Sequence, residues 1–265
     1  MTVRLCVVRY LNTKPLVFGL EQGLVPHRFS LSYDVPSVCA SRVKSGEADL
    51  GLIPSIEFAR LPKPGAIIPT IAIASHGTVA SIFLYHKVPL ESIRTVALDI
   101  SSRTSVALTH IILKDRYGID FTPLEQEPVL DTMLTVADAA LIIGDPALES
   151  VDRPEPRLDL GQAWTELTGL PFVYAFWAGQ PDAVSPEDIR ALIASKATGL
   201  ANLDTITEQY ARTHSRSAAF YLSYLKDHLY FELGTRELQG VTEFYRRAFR
   251  LGLIETEPIL RFFPK

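Results

Sequence analysis

Short apolar runs that end at polar turns mark out the N-terminal half of the chain. The run at Val3–Val8 predicts a buried strand, and the Asn-Thr-Lys-Pro turn after it leads into a predicted helix at Leu16–Gln22. Proline suits a first helical turn, because its missing N–H has no intrahelical partner there. The turn places Tyr10, Asn12 and Thr13 between strand and helix, which is where open α/β folds bind their ligands.

The same alternation of strands and helices continues to about residue 178. Further strands are predicted at 29–33, 49–53, twice within 66–86, and at 95–99 and 169–178, and further helices at 36–45, 55–60, 106–117 and 129–134. The remainder predicts four helices, at 186–202, 206–213, 218–228 and 235–251. Ser185 is the expected N-cap of the first of these four, because a serine hydroxyl can accept from a free helix N–H.

Two parts of the chain share one plan. EADLGLIPSIEFA and VADAALIIGDPAL each give Ala-Asp, a short apolar strand, a proline and a helix start. LCVVRYLNTKPL and TVALDISSRTSV each give a strand, a polar turn and a helix. This repetition predicts an α/β protein of two lobes, with strands 79–86 and 172–178 crossing between them as hinges. We expect residues 1–86 and 177–265 to form lobe 1 and residues 87–176 to form lobe 2.

Composition excludes several classes of function. The 265 residues are 47% hydrophobic and 21% charged, with a formal net charge of -4 and no Lys/Arg-rich run, so no nucleic-acid partner is expected. No glycine-rich nucleotide-binding motif is present, and no cofactor is expected. Residues 64–86 lack acidic and basic side chains, but Pro69 and His76-Gly77 divide them. That stretch therefore predicts two strands and no membrane span.

Cysteine and histidine spacing gives no metal site. Cys6 and Cys39 form no Cys-x-x-Cys pair, and Cys6 is expected in the core. His76 and His86 have no metal-ligand spacing to other candidate ligands. The N-terminal segment lacks the apolar stretch and the small-residue cleavage site of a signal peptide, so a cytoplasmic location is expected.

Several hydroxyls and one arginine follow the predicted strand at 95–99. Ser102, Arg103, Thr104 and Ser105 stand where a helix begins, and a helix N-terminus attracts anions through its free N–H groups. Arg103 could add a bidentate contact to a carboxylate. The pattern equally fits a helix with several capping hydroxyls and an exposed arginine.

Four other positions are candidate ligand contacts. Asn12 can donate to a carboxylate, or it can simply occupy the turn. Ser55 and Asp145 each follow a strand and precede a helix, so each is interpreted either as a cap or as a substrate contact. Ser81 lies beside the first predicted hinge, outside any Gly-x-Ser-x-Gly nucleophile motif.

Five stretches together resemble one enzyme family. They are YLNTKPLVFGL, EADLGLIPSIEFA, SSRTSVAL, LIIGDPAL and DLGQAWTELTGLPFVYAFWA. In this order they resemble the chorismate dehydratases of the futalosine route to menaquinone, and the likeness runs from about residue 4 to residue 250. The resemblance implies a two-lobed fold similar to type II periplasmic binding proteins, with two crossover strands and a helical C-terminal region.

The resemblance also implies a reaction. Chorismate would lose water to give 3-[(1-carboxyvinyl)oxy]benzoate, a hydro-lyase reaction that needs no cofactor. Asn12 and Ser81 match family positions that contact the enolpyruvyl carboxylate, and the resemblance implies that this carboxylate accepts the proton. We expect residues 102–105 to hold the second carboxylate, with Ser55 and Asp145 as further substrate contacts.

Two other functions fit the same sequence. One is the sister enzyme of the same pathway, which has a similar fold and makes 1,4-dihydroxy-6-naphthoate from a cyclic futalosine derivative. The SSRTS and GLPFVYAFWA stretches favour the dehydratase over this synthase. The other is a small-anion binding protein without activity, which the missing signal peptide disfavours.

Overall fold

The computed structural model describes residues 2–264, and it contains two five-stranded sheets flanked by helices. The strands are β1 (Val3–Val8), β2 (Phe29–Asp34), β3 (Leu50–Pro54), β4 (Ala66–Ser75), β5 (Ile82–His86), β6 (Thr95–Asp99), β7 (Thr122–Gln126), β8 (Ala139–Ile143), β9 (Arg157–Asp159) and β10 (Phe172–Gly179). The helices are α1 (Lys14–Glu21), α2 (Pro36–Ser45), α3 (Ser55–Phe58), α4 (Thr104–Tyr117), α5 (Leu130–Val136), α6 (Gly144–Glu149), α7 (Leu160–Thr168), α8 (Pro186–Leu200), α9 (Leu203–Ala211), α10 (Ala218–Ser223) and α11 (Thr235–Arg250).

The two sheets are built alike. The first has the strand order β2-β1-β3-β10-β4, and the second has the order β7-β6-β8-β5-β9. In each sheet the first three strands are parallel, and the last two add antiparallel pairings. The repetition in the sequence therefore corresponds to a repeated strand arrangement, and the prediction of a two-lobed α/β fold is confirmed.

The chain crosses between the sheets twice. It leaves the first sheet after β4 through residues 76–81, and it returns from β9 through residues 160–171, which include α7. The predicted hinge strands form as β5 and β10, but each pairs with strands of a single sheet. A division at residues 81 and 171 would keep every strand with its sheet. The predicted lobe boundaries at 86 and 176 remain a proposal, and the second of them falls inside β10.

Two short strands have no clear signal in the sequence, and one predicted helix is divided. Strand β7 is mostly exposed and contains Pro123 and Glu125, so it shows no apolar run. Strand β9 has 3 residues, and α7 follows it directly. The predicted helix at 218–228 is divided in the structure, because α10 continues as a π-helical segment at Tyr224–His228.

One predicted helix cap is confirmed and another is wrong. The Ser185 hydroxyl accepts from Asp188 N at the start of α8 and forms a capping box. At α3 the N-cap residue is Pro54, and no side chain caps the helix. Ser55 is fully buried inside the first turn, where its hydroxyl donates to Val173 O at 2.8 Å. A buried hydroxyl needs a partner, and the neighbouring strand β10 supplies it.

The C-terminal helices pack on the first sheet, as the sequence predicts. Helix α8 packs along α1 and against β4, and α11 packs against β10. Trp164, Phe172 and Phe244 join α7, β10 and α11 in edge-to-face contacts at centroid distances of 5.0 to 6.3 Å. Within residues 2–264, no helix is both long and apolar enough to cross a membrane.

Candidate functional site

A cleft lies between the two sheets and receives residues from both. It contains about 570 Å³ of empty space, counting the part that is open to solvent. Tyr10, Asn12, Ser81 and Tyr174 contribute polar side chains to its lining. Among the lining residues that the structure describes, Arg103 alone carries a charged side chain. The cleft is therefore rich in neutral donors and has one cation at its wall.

The start of α4 forms one wall of the cleft. Ser102, Arg103, Thr104 and Ser105 all line it, as the sequence predicts. No side chain caps this helix, so the alternative interpretation of a multiply capped helix is wrong. Arg103 is exposed, and among the described residues none forms a hydrogen bond or an ion pair with its guanidinium, although its backbone carbonyl accepts from Ala107 N. Free helix N–H groups and an unpaired guanidinium together make this wall suitable for a carboxylate.

Asn12 lines the same cleft from the turn that follows β1. It belongs to a 3-10 turn at Leu11–Thr13 that follows β1 and leads directly into α1. The Thr13 hydroxyl donates to Asn12 Oδ1 at 3.3 Å, which leaves the Nδ2 hydrogens for other acceptors. The structure thus places Asn12 in a turn that lines the cleft, and its contact with a ligand stays a prediction.

Ser81 follows a strained turn in the first crossing segment. Ala80 adopts φ 57°, a left-handed conformation that costs an L-residue about 1–2 kcal/mol. The buried Asp159 carboxylate holds the turn by accepting from Val79 N at 3.1 Å and from Ala80 N at 2.8 Å. This clamp fixes the backbone that presents Ser81 to the cleft at the start of β5.

Buried tyrosine hydroxyls support the polar part of the cleft. Tyr224 donates to Ser81 Oγ at 2.9 Å, and Tyr174 lies 2.8 Å from Ser75 Oγ. Burial raises the pKa of both tyrosines well above the ordinary value, so both hydroxyls stay protonated. Sequence reasoning missed these residues, because a tyrosine within an apolar helix or strand face looks like an ordinary core residue.

Tyr10 lies at the boundary of the two lobes. Its hydroxyl is 3.3 Å from Ser101 Oγ, and burial raises its pKa to about 12. Its ring lies against Gly144, where an added Cβ would be 2.7 Å from a ring carbon. Gly144 also has φ 62°, so both the close approach and the backbone conformation require glycine there.

The structure does not place Ser55 and Asp145 in the cleft wall. Besides Val173, Ser55 Oγ contacts Thr104 Oγ1 at 3.4 Å, and Thr104 does line the cleft. Asp145 Oδ1 accepts from Leu11 N at 3.0 Å, and its Oδ2 accepts from Tyr210 at 2.6 Å. Burial raises the pKa of Asp145, although these hydrogen bonds offset part of the rise. No side chain caps α6, so Asp145 is not a cap. Ser55 therefore contacts a residue of the cleft wall, and Asp145 holds the turn that carries Asn12.

The cysteines and the histidines lie elsewhere. Cys6 and Cys39 are fully buried free thiols with their sulfurs 3.1 Å apart, which confirms Cys6 as a core residue. His76 Nε2 is 2.7 Å from Glu237 Oε1, and His86 Nδ1 is 2.7 Å from Val88 O. In the described part of the chain, no group of three or more His, Cys, Asp or Glu residues could hold a metal ion.

Solved structures define the class of the fold. A protein from Archaeoglobus fulgidus superposes with a TM-score of 0.82 at 18% identity, covering 96% of this chain and 98% of that chain. A Candida albicans protein described as having the generic periplasmic binding protein fold superposes with a TM-score of 0.70 at 11% identity, covering 100% and 98%. The chain therefore has the two-lobed fold of periplasmic binding proteins.

Sequence comparison narrows this class to one family. A family model described as menaquinone biosynthesis matches residues 3–250, and the chain belongs to that family. The chorismate dehydratase of Thermus thermophilus is 30% identical over 243 residues, covering 83% of this chain and 87% of the relative. The chorismate dehydratase of Campylobacter jejuni is 25% identical over 252 residues, covering 93% and 97%.

Proposed function

We propose that this chain is a chorismate dehydratase, a hydro-lyase that converts chorismate to 3-[(1-carboxyvinyl)oxy]benzoate in menaquinone biosynthesis. The observation that carries the proposal is that Asn12, Ser81 and Arg103, together with the start of α4, line one cleft. Chorismate carries one carboxylate on its ring and one on its enolpyruvyl arm. We propose that Asn12 and Ser81 hold one of them and that Arg103 with the start of α4 holds the other. Two relatives that match most of the chain have this activity.

Binding in this orientation sets up the elimination. Asn12 and Ser81 hold the enolpyruvyl carboxylate, and Arg103 with the α4 N–H groups holds the ring carboxylate. The C3–H bond of the ring is conjugated through the diene to the ring carboxylate, so negative charge that develops on proton removal spreads toward Arg103. Donors that are already in place stabilise this charge without reorganising.

The proton at C3 goes to the enolpyruvyl carboxylate of the substrate. The described lining residues include no carboxylate, imidazole or lysine within the cleft. The electron pair of the C3–H bond forms the new C3–C4 double bond, and the C4–O bond breaks. The departing hydroxide takes up the proton that the enolpyruvyl carboxylate has accepted, so that one water is lost and the ring becomes aromatic.

The fold also supports a closing motion. Tyr10 and Ser101 contact one another across the two lobes beside the cleft, so closure around the substrate would exclude water there.

We place the enzyme in the cytoplasm, where thiols such as Cys6 and Cys39 stay reduced.

Mass spectrometry of a simple incubation tests the function. Purified protein is mixed with chorismate without added metal or cofactor, beside a protein-free control. A product lighter by one water, formed faster than in the control, supports the dehydratase. Unchanged chorismate contradicts it. In that case, conversion of the cyclic futalosine derivative would identify the sister synthase, and saturable binding of chorismate without conversion would identify a binding protein.

A further inference from the structure

Tyr224 is the buried partner of Ser81. It lies in the π-helical segment at Tyr224–His228, is 3% exposed, and donates its hydroxyl hydrogen to Ser81 Oγ at 2.9 Å. A phenol from the C-terminal helices therefore contacts Ser81 directly. Single-turn π-helices recur at functional sites, because they shift one side chain out of the regular helical pattern.

This bond fixes how Ser81 can act. A serine hydroxyl has one hydrogen and rotates freely, so a neighbouring group decides whether it donates or accepts. Because Ser81 accepts from Tyr224, its own hydrogen must point elsewhere. Within the described residues, Ser81 donates no hydrogen bond, and its side chain lines the cleft.

We propose that Tyr224 is a positioning residue that holds the Ser81 hydroxyl as a hydrogen-bond donor toward the substrate carboxylate. The inference rests on the proposed function and adds a residue that touches no substrate itself. Polarisation along the chain from Tyr224 to Ser81 also makes the Ser81 hydroxyl a stronger donor than an isolated serine. Without the phenol hydroxyl, Ser81 can turn its hydrogen away from the cleft, and part of the stabilisation of the bound carboxylate is lost.

A double-mutant cycle tests this role. Tyr224→Phe removes the hydroxyl and keeps the ring, and we expect it to lower kcat/KM for chorismate about tenfold. In a Ser81→Ala background the same change is expected to cost less than about twofold, because the hydroxyl it orients is absent. A purely structural role would give the same loss in both backgrounds. Equal losses, or an unchanged kcat/KM in the single variant, would overturn the proposal.

Tyr85→Phe is the matched control. Tyr85 is fully buried in the second sheet and donates to Ser150 O at 2.7 Å, away from the cleft. Tyr85→Phe loses a comparable hydrogen bond of a tyrosine hydroxyl, and we expect this variant to keep the wild-type kcat/KM. Thermal unfolding of all variants checks folding.

If Tyr224→Phe does not fold, 3-fluorotyrosine at position 224 keeps the hydroxyl and alters its donor strength. Its effect on kcat must then vanish in the Ser81→Ala background, and persistence there overturns the proposal.

The wild-type protein in the same experiment separates the two claims. If the wild type converts chorismate and the losses in the cycle are additive, the result contradicts the role of Tyr224 and leaves the proposed function standing. An inactive wild type contradicts the proposed function. In that case the double-mutant cycle is repeated with the Kd for chorismate, measured by calorimetry. Additive losses of affinity would overturn the positioning role, and non-additive losses would support it.

Discussion

The Asp145 carboxylate accepts a hydrogen bond from the backbone N–H of Leu11 at 3.0 Å, across the boundary between the two sheets. The other carboxylate oxygen accepts from the Tyr210 hydroxyl at 2.6 Å. Leu11 directly precedes Asn12, so a side chain of the second lobe holds the turn that carries a candidate catalytic residue of the first. Asp145 thus supports the site from outside the cleft wall.

Removing this carboxylate is expected to weaken both fold and activity. Asp145→Ala leaves Leu11 N and the Tyr210 hydroxyl without their acceptor, and each buried unpaired donor costs about 1–3 kcal/mol. Asp145→Asn keeps an oxygen for Leu11 and is expected to lose much less. Urea unfolding and kcat/KM measured on both variants check this. Equal effects of the two substitutions would contradict the role assigned to Asp145.

The two candidate catalytic residues are expected to act on turnover. Asn12→Ala and Ser81→Ala each remove one donor to the enolpyruvyl carboxylate, and loss of such a donor lowers kcat by about 10²–10³-fold. The melting temperature of Asn12→Ala should stay near that of the wild type, whereas Ser81→Ala leaves the Tyr224 hydroxyl without its acceptor and should unfold a few degrees lower while remaining folded in the assay. Asn202→Ala is a control, because that side chain donates only to Thr198 O on α8 in the described structure. Wild-type kcat/KM in both site variants would remove the proposed site.

Arg103 is expected to act on binding. Arg103→Ala removes the one cation in the described cleft lining, and hydrogen bonds to charged groups contribute about 1.5–3 kcal/mol each. KM for chorismate should rise by roughly tenfold or more, while Arg103→Lys keeps the charge, loses the bidentate geometry and gives an intermediate KM. Arg190→Ala is the control, since Arg190 is exposed on α8 and pairs with Glu187. A normal KM in Arg103→Ala would contradict a carboxylate site on this wall.

Stability at acid pH is expected to depend on Asp188. Arg28 donates to both Asp188 oxygens, at 2.9 and 2.5 Å, and these bonds lower the Asp188 pKa to about 2 from 3.8. Since the pKa is lower in the folded state, the stabilisation is complete above the unfolded pKa of 3.8 and is lost as the pH falls toward 2. Because Arg28 is half exposed, we expect about 1–2 kcal/mol from this pair.

Unfolding of wild type and Asp188→Asn across pH measures this contribution. The difference in unfolding free energy should be constant near neutral pH and should shrink as the pH falls below 4 toward the folded pKa of about 2. A difference that is independent of pH over this range would show that the charge of Asp188 does not stabilise the fold.

The ends of β1 and β6 were predictable from the sequence, and so were the candidate residues that follow them. Asn12 and Ser102 come directly after β1 and β6, and a switch from apolar run to polar turn marks both places. Most of the polar residues that the sequence pattern indicates as candidates therefore line the cleft.

Long-range partners were not predictable, because no local pattern encodes them. Asp159 clamps Ala80 from 79 residues away, and Tyr224 reaches Ser81 from 143 residues away. Tyr224 lies in an apolar helix face, so its sequence context indicates only burial. Strand β7 was missed for the opposite reason, since an exposed edge strand has no apolar run to mark it.

Proton NMR of chorismate during incubation with the purified protein follows the proposed dehydration at the ring itself. We expect the ring signals of the cyclohexadiene to disappear and those of a benzene ring with substituents at positions 1 and 3 to replace them. The two vinyl hydrogens of the enolpyruvyl ether should be retained, and the Asn12→Ala/Ser81→Ala double variant should leave the spectrum unchanged. Release of free pyruvate, or a spectrum of unchanged chorismate with the wild-type protein, would show that the protein is not a chorismate dehydratase.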